Sequence, residues 1–269
     1  MNWTLYMDGL LVIVILASLT WLLSLYLKDV SIVDSAWSLM FLATGIYYFQ
    51  GNPTPDLKTN IFFALLILWS LRLAIHLTWR NWDEPEDRRY QKIREKYSPN
   101  FGFKSLFIIF IFQAALASIV SLSVVAVMDG KNDSSNIGYI EYIAIVIWTI
   151  GFLYESIADW QLAKFKSDEG NANKVMDIGL WRNTRHPNYF GEIVLWFGVA
   201  ILAYPALESW RLLTLISPVF VTLLLTKVSG VPLLEEQGKE RWGDDREYQR
   251  YLETTPVLIP SFSKGSAEN

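Results

Sequence analysis

The chain has no cysteine, only two histidines and few charged residues for its length. Without cysteine it can hold neither a disulfide framework nor a thiolate metal site, and it has no cysteine nucleophile. Charged residues make up 19% of the 269 residues, 52% are hydrophobic and the mean hydropathy is +0.25, which is too apolar for an ordinary soluble domain. We therefore expect an integral membrane protein without a metal centre.

Apolar runs predict about seven membrane-spanning helices, so the expected fold class is an all-α polytopic membrane protein. The first run, Gly9–Leu27, has 19 uncharged residues, enough at about 1.5 Å per residue to cross a hydrocarbon core of about 30 Å. It lacks the positive start and the cleavage site of a signal peptide. The other runs are Ile32–Gln50, Asn60–Trp79, Ser105–Met128, Ile140–Ala163, Tyr189–Tyr204 and Trp210–Val231.

Lysine and arginine are distributed unevenly between the two sides that seven spans would define. Lys58, Lys131 and Arg211 fall on the side of the N-terminus, Arg72 lies inside the third run, and the other basic residues fall on the opposite side. The positive-inside rule then places the N-terminus outside and the C-terminus in the cytoplasm. No repeat divides the chain, so we expect residues 1–269 to form one integral membrane domain, in a bacterial inner membrane or an endoplasmic-reticulum-type membrane.

Ionisable side chains inside the spans are costly in lipid unless they face a cavity or a partner, so each is a functional candidate. Six lie in the cytoplasmic half of the predicted spans: Asp34, Arg72, His76, Glu155, Asp159 and Glu192. Spacing of four residues places Arg72 with His76, and Glu155 with Asp159, on single helix faces. The six groups could line one pocket open to the cytoplasm. Alternatively, they snorkel or pair within the bundle, as Asp159 could with Lys164.

The stretch Gly179–Glu192, GLWRNTRHPNYFGE, lies where a polar loop meets an apolar run. Arg182, Arg185 and His186 precede a helix whose start is set by Pro187. Guanidinium groups and free amides at a helix N-terminus favour a phosphate or a carboxylate. The alternative is a basic cluster that contacts lipid phosphates. No GxGxxG follows a strand, so a Rossmann domain is not expected.

Gly179–Glu192 resembles the signature of the membrane steroid and sterol reductases, the group that includes steroid 5α-reductase and the sterol C14 and Δ7 reductases. The likeness covers about Gly151–Pro260, where YESIADWQLAKFK, KVSGVPLLEE and REYQRYLETTPVLIP surround the motif. In the first half, VSIVDSAW and WSLRLAIHLTWRN resemble the bacterial branch of the steroid 5α-reductase family, often labelled only as a domain of unknown function. The resemblance implies NADPH-dependent reduction of a carbon–carbon double bond in a lipid, usually one conjugated to a ketone, as in a 3-oxo-5α-steroid 4-dehydrogenase.

The resemblance also implies roles for individual residues. Helices and cytoplasmic loops within 139–260 would hold the cofactor, through Glu155, Asp159, Lys166, Arg182, Arg185, His186, Asn188, Tyr189, Glu192, Lys227 and Glu235. Helices within 1–130 would face the substrate, with Trp37, Trp69 and Arg72 as contacts. Asp34 falls at the position of the family's catalytic acid, and His76 is the substitute candidate because the family's tyrosine falls near Trp69. Such an acid would stabilise the enolate that forms when hydride reaches the β-carbon, provided that burial keeps Asp34 protonated.

The same half also resembles isoprenylcysteine carboxyl methyltransferases and phospholipid methyltransferases, which share an RHPxY element and a glutamate pair before a tyrosine-rich tail. The residues that fit this pattern are Glu235, Glu236, Trp242, Gly243, Tyr248, Tyr251 and Ile259. Asn188 and Gly191–Glu192 favour the reductases. S-adenosylmethionine-dependent methyl transfer is therefore the alternative, and a non-catalytic lipid-binding membrane protein is a third reading.

The expected partners follow from these readings. They are a lipid or steroid substrate that enters from the bilayer, and membrane lipids. No nucleic-acid partner is expected. The protein is predicted to be a monomer with its active site facing the cytoplasm.

Overall fold

The computed structural model describes residues 2–129, 137–204 and 215–262, and these residues form helices and no β-strand. The helices are α1 (Trp3–Leu27), α2 (Ile32–Gly51), α3 (Leu57–Arg80), α4 (Arg88–Lys96), α5 (Phe101–Ser105), α6 (Phe112–Val120), α7 (Leu122–Met128), α8 (Tyr139–Lys166), α9 (Pro187–Ala203), α10 (Ile216–Leu223), α11 (Val231–Trp242) and α12 (Arg246–Thr254). Two π-helical turns, Leu106–Ile111 and Leu224–Val228, follow α5 and α10.

Within the described residues, six helical stretches are long and apolar enough to cross a membrane. They are Trp3–Leu27, Ile32–Gly51, Leu57–Arg80, Phe101–Val120, Tyr139–Lys166 and Ile216–Trp242. Helix α9 is apolar but has 17 residues, which span about 25 Å at 1.5 Å per residue. The predicted all-α polytopic membrane fold is thus confirmed, while the count of seven spans and the orientation stay predictions. The last predicted run starts at Trp210, outside the described residues.

Polar caps set where several helices begin and end. The side chain of Asn2 accepts a hydrogen bond from the Leu5 amide at the start of α1, and Asp56 accepts one from the Thr59 amide at the start of α3. Such caps satisfy amide groups that have no partner within the helix. Helix α1 ends at Leu27, and the next residue, Lys28, adopts the left-handed conformation with φ 57°. The spans therefore extend a few residues beyond the apolar runs that predict them.

The outward faces of the long helices are apolar. On α1, Leu11, Ile15 and Leu19 are each at least half exposed, and α8 repeats the pattern at Val146 and Ile150. Exposed leucine and isoleucine at helical spacing are typical of a surface that meets lipid tails. These exposed stripes agree with the membrane assignment.

The chain divides into two compact units. Unit 1 comprises Met1–Glu141 and Ala200–Ser217, and unit 2 comprises Tyr142–Val199 and Pro218–Asn269. In unit 1, helix α2 packs against both α1 and α3, and these helices bury large side chains such as Phe41, Phe62 and Trp69. The single-domain organisation stays a prediction.

In unit 2, glycines bring α8 and α9 into backbone contact. A Cβ atom at Gly191 would collide with the backbone nitrogen of Glu155, and one at Gly198 would lie 2.7 Å from the nitrogen of Trp148. Small residues let membrane helices approach this closely. The contact places the acidic end of α8, with Glu155 and Asp159, beside the first turn of α9.

Candidate functional site

The loop that precedes α9 is held against α8 by side-chain hydrogen bonds. The indole Nε1 of Trp181 donates to the carbonyl of Ala158 at 3.0 Å, and the Leu180 amide donates to Oε1 of Gln161 at 2.9 Å. Gly179 has φ +61° and lies close to Gln161, where a Cβ atom would collide. A left-handed conformation with no room for a side chain requires glycine, so this end of the motif depends on Gly179.

Glu235 of α11 contacts two basic residues of the motif, Arg185 and His186. Its Oε2 lies 3.0 Å from Nη1 of Arg185 and its Oε1 lies 2.9 Å from Nε2 of His186. The ring of His186 stacks on Tyr189 with centroids 5.6 Å apart. Charge-assisted bonds of this kind are strong when partly buried, and the side chains of Arg185 and His186 are 13% and 6% exposed. The three residues form one structural group, the Arg–His–Glu cluster.

A second bond joins the predicted cofactor residues of α8 and α9. Nδ2 of Asn188 donates to Oδ1 of Asp159 at 3.1 Å. Asp159 and its helix neighbour Glu155 are both buried. The four-residue spacing and the glycine contact thus bring together residues that are 29 positions apart in sequence.

Several buried polar atoms in this region have no hydrogen-bond partner within the described ranges. They are Oδ1 of Asn188, Nδ1 of His186 and Nε of Arg185. Buried polar atoms are nearly always paired in native proteins. These atoms can therefore bind a polar ligand, with Oδ1 of Asn188 as an acceptor and Nε of Arg185 as a donor.

Other predicted cofactor residues lie farther out on the same elements. Lys166 is the last residue of α8, Arg182 lies in the 3₁₀ turn Gly179–Arg182, and Lys227 lies in the π-helical turn before α11. The side chains of all three are exposed, whereas that of Glu192 on α9 is partly buried. Their proposed contacts with a cofactor stay predictions.

In unit 1, Asp34 is the centre of a polar group that the sequence analysis did not predict. Its Oδ2 accepts from Nη2 of Arg89 at 2.6 Å, and its Oδ1 accepts from the hydroxyl of Tyr90 at 2.6 Å. Asp34 is therefore placed to orient Arg89 and Tyr90. Its predicted role as the catalytic acid stays a prediction.

Tyr90 is a further candidate for the hydrogen-bond donor. It lies in α4, outside the spans, and is buried. Burial and the Asp34 carboxylate raise the pKa of the Tyr90 phenol well above its usual range, so the phenol keeps its proton. Tyr90 is the buried residue of the mostly charged nine-residue helix RRYQKIREK. An aromatic residue among so many charged ones is the sequence signal that could have identified it.

The remaining predicted residues of unit 1 lie on α2 and α3. Trp69 is buried, and the ring of Phe41 packs edge-on against both Trp37 and Trp69, with centroids 5.4 Å and 5.7 Å apart. Arg72 and His76 are partly buried on α3. Their roles in substrate binding and catalysis stay predictions, and so does the single pocket for the six ionisable groups.

Hydrogen bonds fasten the loop before α4 to the turn between α1 and α2, and a salt bridge joins the same loop to α4. Glu86 accepts from the Val30 amide at 2.9 Å and from Nη2 of Arg94 at 2.6 Å, while Arg94 also reaches the carbonyl of Lys28. Burial raises the pKa of Glu86, but its hydrogen bonds with Arg94 and Val30 lower it more, and the net pKa lies below the usual value of 4.5. The ionised form of Glu86 therefore stabilises the folded loop.

This depressed pKa predicts an acid-sensitive loop. Because the folded-state pKa of Glu86 lies below the unfolded-state value, its stabilisation is complete above about pH 5 and is lost as the pH falls through the folded-state pKa. We expect Glu86→Gln to cost about 1–2 kcal/mol of loop stability at pH 7 and to remove this part of the acid dependence. Hydrogen exchange of the Val30 amide, compared between wild type and variant from pH 7 to pH 3, measures the difference.

Glu84 provides the matched control, because it lies in the same loop and is exposed. Glu84→Gln should leave the protection of the Val30 amide unchanged at each pH. If Glu86→Gln retained the full acid-dependent loss seen in wild type, the assignment to Glu86 would be wrong.

Comparisons with known proteins identify the family of this chain. A relative from Schizosaccharomyces pombe, described as an uncharacterized protein, is 26% identical over 232 residues, and the match covers 76% of this chain and 66% of that relative. The chain thus spans just under two thirds of the relative's length. No solved structure matches. A family model described as "Protein of unknown function (DUF1295)" matches residues 20–255, and because that is most of the chain, the protein belongs to the DUF1295 family.

Proposed function

We propose that the protein is an NADPH-dependent enzyme that reduces a carbon–carbon double bond conjugated to a ketone in a steroid-like or other lipid. The carrying observation is the bond between Asn188 and Asp159. The resemblance to steroid 5α-reductases assigns both residues to the cofactor, one from α9 and one from α8. Their contact supports carrying both roles over together.

The groups in unit 2 fit such a cofactor chemically. Buried carboxylates at Glu155 and Asp159 and the amide oxygen of Asn188 can accept hydrogen bonds from ribose hydroxyl groups or from a carboxamide. Arg185 and the exposed Arg182 can bind phosphate groups. When bound, NADPH would supply hydride to the β-carbon of the enone. The apolar residues that the resemblance assigns to the substrate fit a lipid substrate that enters from the bilayer.

Tyr90 is the residue that we propose as the hydrogen-bond donor to the substrate. The Tyr90 hydroxyl can turn its proton from Asp34 towards the substrate carbonyl oxygen and stabilise the negative charge that develops there. Asp34 accepts from the phenol in the resting protein and holds Arg89 close by. Burial lowers the pKa of Arg89, but the Asp34 and Asp87 carboxylates together with Tyr90 raise it more, so the guanidinium stays charged beside the phenol.

An S-adenosylmethionine-dependent methyltransferase is the second candidate. It is favoured by the link between the RHP element and the glutamate pair, since Glu235 binds both Arg185 and His186. The same link is compatible with a reductase. The bond between Asn188 and Asp159 favours the reductase. The polar residues within the spans of the first half of the chain favour it as well.

Cofactor binding to the purified protein in detergent tests the proposal. We expect NADPH to bind in preference to S-adenosylmethionine, and Asn188→Ala or Asp159→Ala to weaken NADPH binding by about tenfold or more, because each leaves a buried polar group without its partner. Oxidation of NADPH, followed by absorbance with a panel of 3-oxo-Δ4 steroids, tests turnover. Active-site access is expected from the cytoplasmic side.

Asn173→Ala is the control, since Asn173 is an exposed asparagine of the same unit, and it should bind NADPH like wild type. Preferential binding of S-adenosylmethionine with methyl transfer to a lipid would replace the reductase by the methyltransferase. NADPH binding without turnover on any enone would support a non-catalytic lipid-binding protein.

A further inference from the structure

The segment that follows α12, residues 255–261, folds back over the motif loop, and we call it the C-terminal strap. The Arg185 amide donates to the carbonyl of Pro256 at 2.9 Å, and the Ser261 amide donates to the carbonyl of Asn183 at 3.0 Å. These bonds fasten the strap to both sides of Thr184. The strap thus pairs with the loop next to the Arg–His–Glu cluster.

Thr184 contributes the central side-chain bond of this pairing. Its hydroxyl lies 2.9 Å from the carbonyl of Leu258 and 3.2 Å from that of Val257. The Thr184 side chain is 0% exposed, so its hydroxyl depends on these strap carbonyls as partners. Removing the hydroxyl takes away the one proton that the two carbonyls share in these partly buried bonds, and lost hydrogen bonds of this kind are costly.

Thr184 directly precedes two residues of the Arg–His–Glu cluster, so its bonds to the strap affect where they lie. Residues 183–186 lie between the turn Gly179–Arg182 and the start of α9 at Pro187, so no regular helix holds them. Arg185 and His186 follow Thr184 directly and meet Glu235 through their side chains. The strap holds the backbone of this short loop, and small displacements of groups that bind a ligand reduce affinity strongly.

We propose that Thr184 is a positioning residue of the cofactor site, which anchors residues 183–186 to the C-terminal strap and thereby sets where Arg185 and His186 present their polar atoms. The inference rests on the proposed function, since it requires a nucleotide cofactor at the motif. It adds the strap, which lies beyond the helices, to the parts of the chain that such a cofactor needs.

Thr184→Val tests the inference, because valine keeps the shape of threonine and removes the hydroxyl. We expect the Kd for NADPH, measured by titration calorimetry in detergent, to rise about tenfold, with the apparent unfolding temperature within about 3 °C of wild type. Thr184→Ser restores the hydroxyl and should return the Kd to within about twofold of wild type. Thr254→Val is the matched control, since the hydroxyl of the exposed Thr254 donates to the Arg250 carbonyl within its own helix, and its Kd should not change.

Hydrogen exchange reports the anchoring separately from binding. Thr184→Val should accelerate exchange of the Arg185 and Ser261 amides, which donate across the strap. An unchanged Kd for NADPH in Thr184→Val, with or without faster exchange, overturns the inference. A Thr184→Ser protein that binds as weakly as Thr184→Val also overturns it, because the hydroxyl would then not be the cause.

Failure of the proposed function gives a different result. If the wild type binds S-adenosylmethionine and not NADPH, the reductase proposal fails and the same comparison with S-adenosylmethionine decides the role of Thr184. A tenfold weaker Kd in Thr184→Val then supports the positioning role, and an unchanged Kd refutes it. Binding of neither nucleotide by the wild type refutes both proposals.

Discussion

Replacing Tyr90 with phenylalanine is expected to lower enone reduction by about 100-fold or more while the Kd for NADPH stays within about twofold of wild type. The ring is buried and phenylalanine preserves its packing, so the change removes only the hydroxyl that lies 2.6 Å from Asp34. Without that donor, the developing charge on the substrate oxygen loses its partner. Stopped-flow turnover and calorimetric binding measure the two quantities on one preparation.

Tyr97→Phe is the control, because Tyr97 follows α4 and is exposed. Its turnover should equal that of wild type. Asp34→Asn removes the negative charge that pairs with Arg89 and leaves a single acceptor oxygen, and we expect turnover to be lost while NADPH remains bound. An active Tyr90→Phe enzyme would exclude Tyr90 as the donor, and an active Asp34→Asn enzyme would exclude Asp34 as the catalytic acid.

Replacing Glu235 with alanine is expected to have the largest effect on stability and to abolish cofactor binding. The substitution leaves Arg185 and His186 without the carboxylate that both contact, and their side chains are largely buried. Removing one partner of a buried ion pair costs about 3 kcal/mol or more, which corresponds to a fall of roughly 5–10 °C in apparent unfolding temperature for a chain of this size. Thermal unfolding in detergent and NADPH titration at low temperature measure both effects.

Glu236 gives a control one residue away, since it is the other half of the glutamate pair and is exposed. Glu236→Ala should change the unfolding temperature by less than about 2 °C, as is usual for an exposed substitution. Equal effects of the two substitutions would show that net charge, and not the contacts with Arg185 and His186, is what matters. Normal stability of Glu235→Ala would refute the structural part of the prediction.

Much of the fold could be predicted from composition, because membrane helices require long apolar runs. Hydropathy places the first run at Gly9–Leu27, whereas the helix begins at Trp3. The difference arises because hydropathy does not detect the cap at Asn2 or the tolerance of helix ends for polar groups. The short helix α9 shows the limit of such predictions. Its apolar residues indicate a buried or spanning segment, but its length does not decide between the two.

The candidate site could be predicted only in part. The motif identified Arg185, His186 and Asn188, and the four-residue spacing of Glu155 and Asp159 predicted their common face. Nothing in the sequence joined Tyr90 to Asp34, which is 56 positions away, or Thr184 to a strap that is 73 and 74 positions away. Pairings at such separation depend on how helices pack, and local patterns carry no information about that.

The sequence by itself determined that this is an all-α membrane protein with basic and acidic groups at the ends of its apolar helices, because run length and charge spacing are properties of the chain alone. Only the tertiary structure decided which polar groups meet. In the folded chain, Arg89 and Tyr90 bond to Asp34, and Arg185 and His186 bond to Glu235. The strap bonds to Thr184. Hydrogen bonds and ion pairs act over about 3 Å, and the packing of distant segments sets those distances.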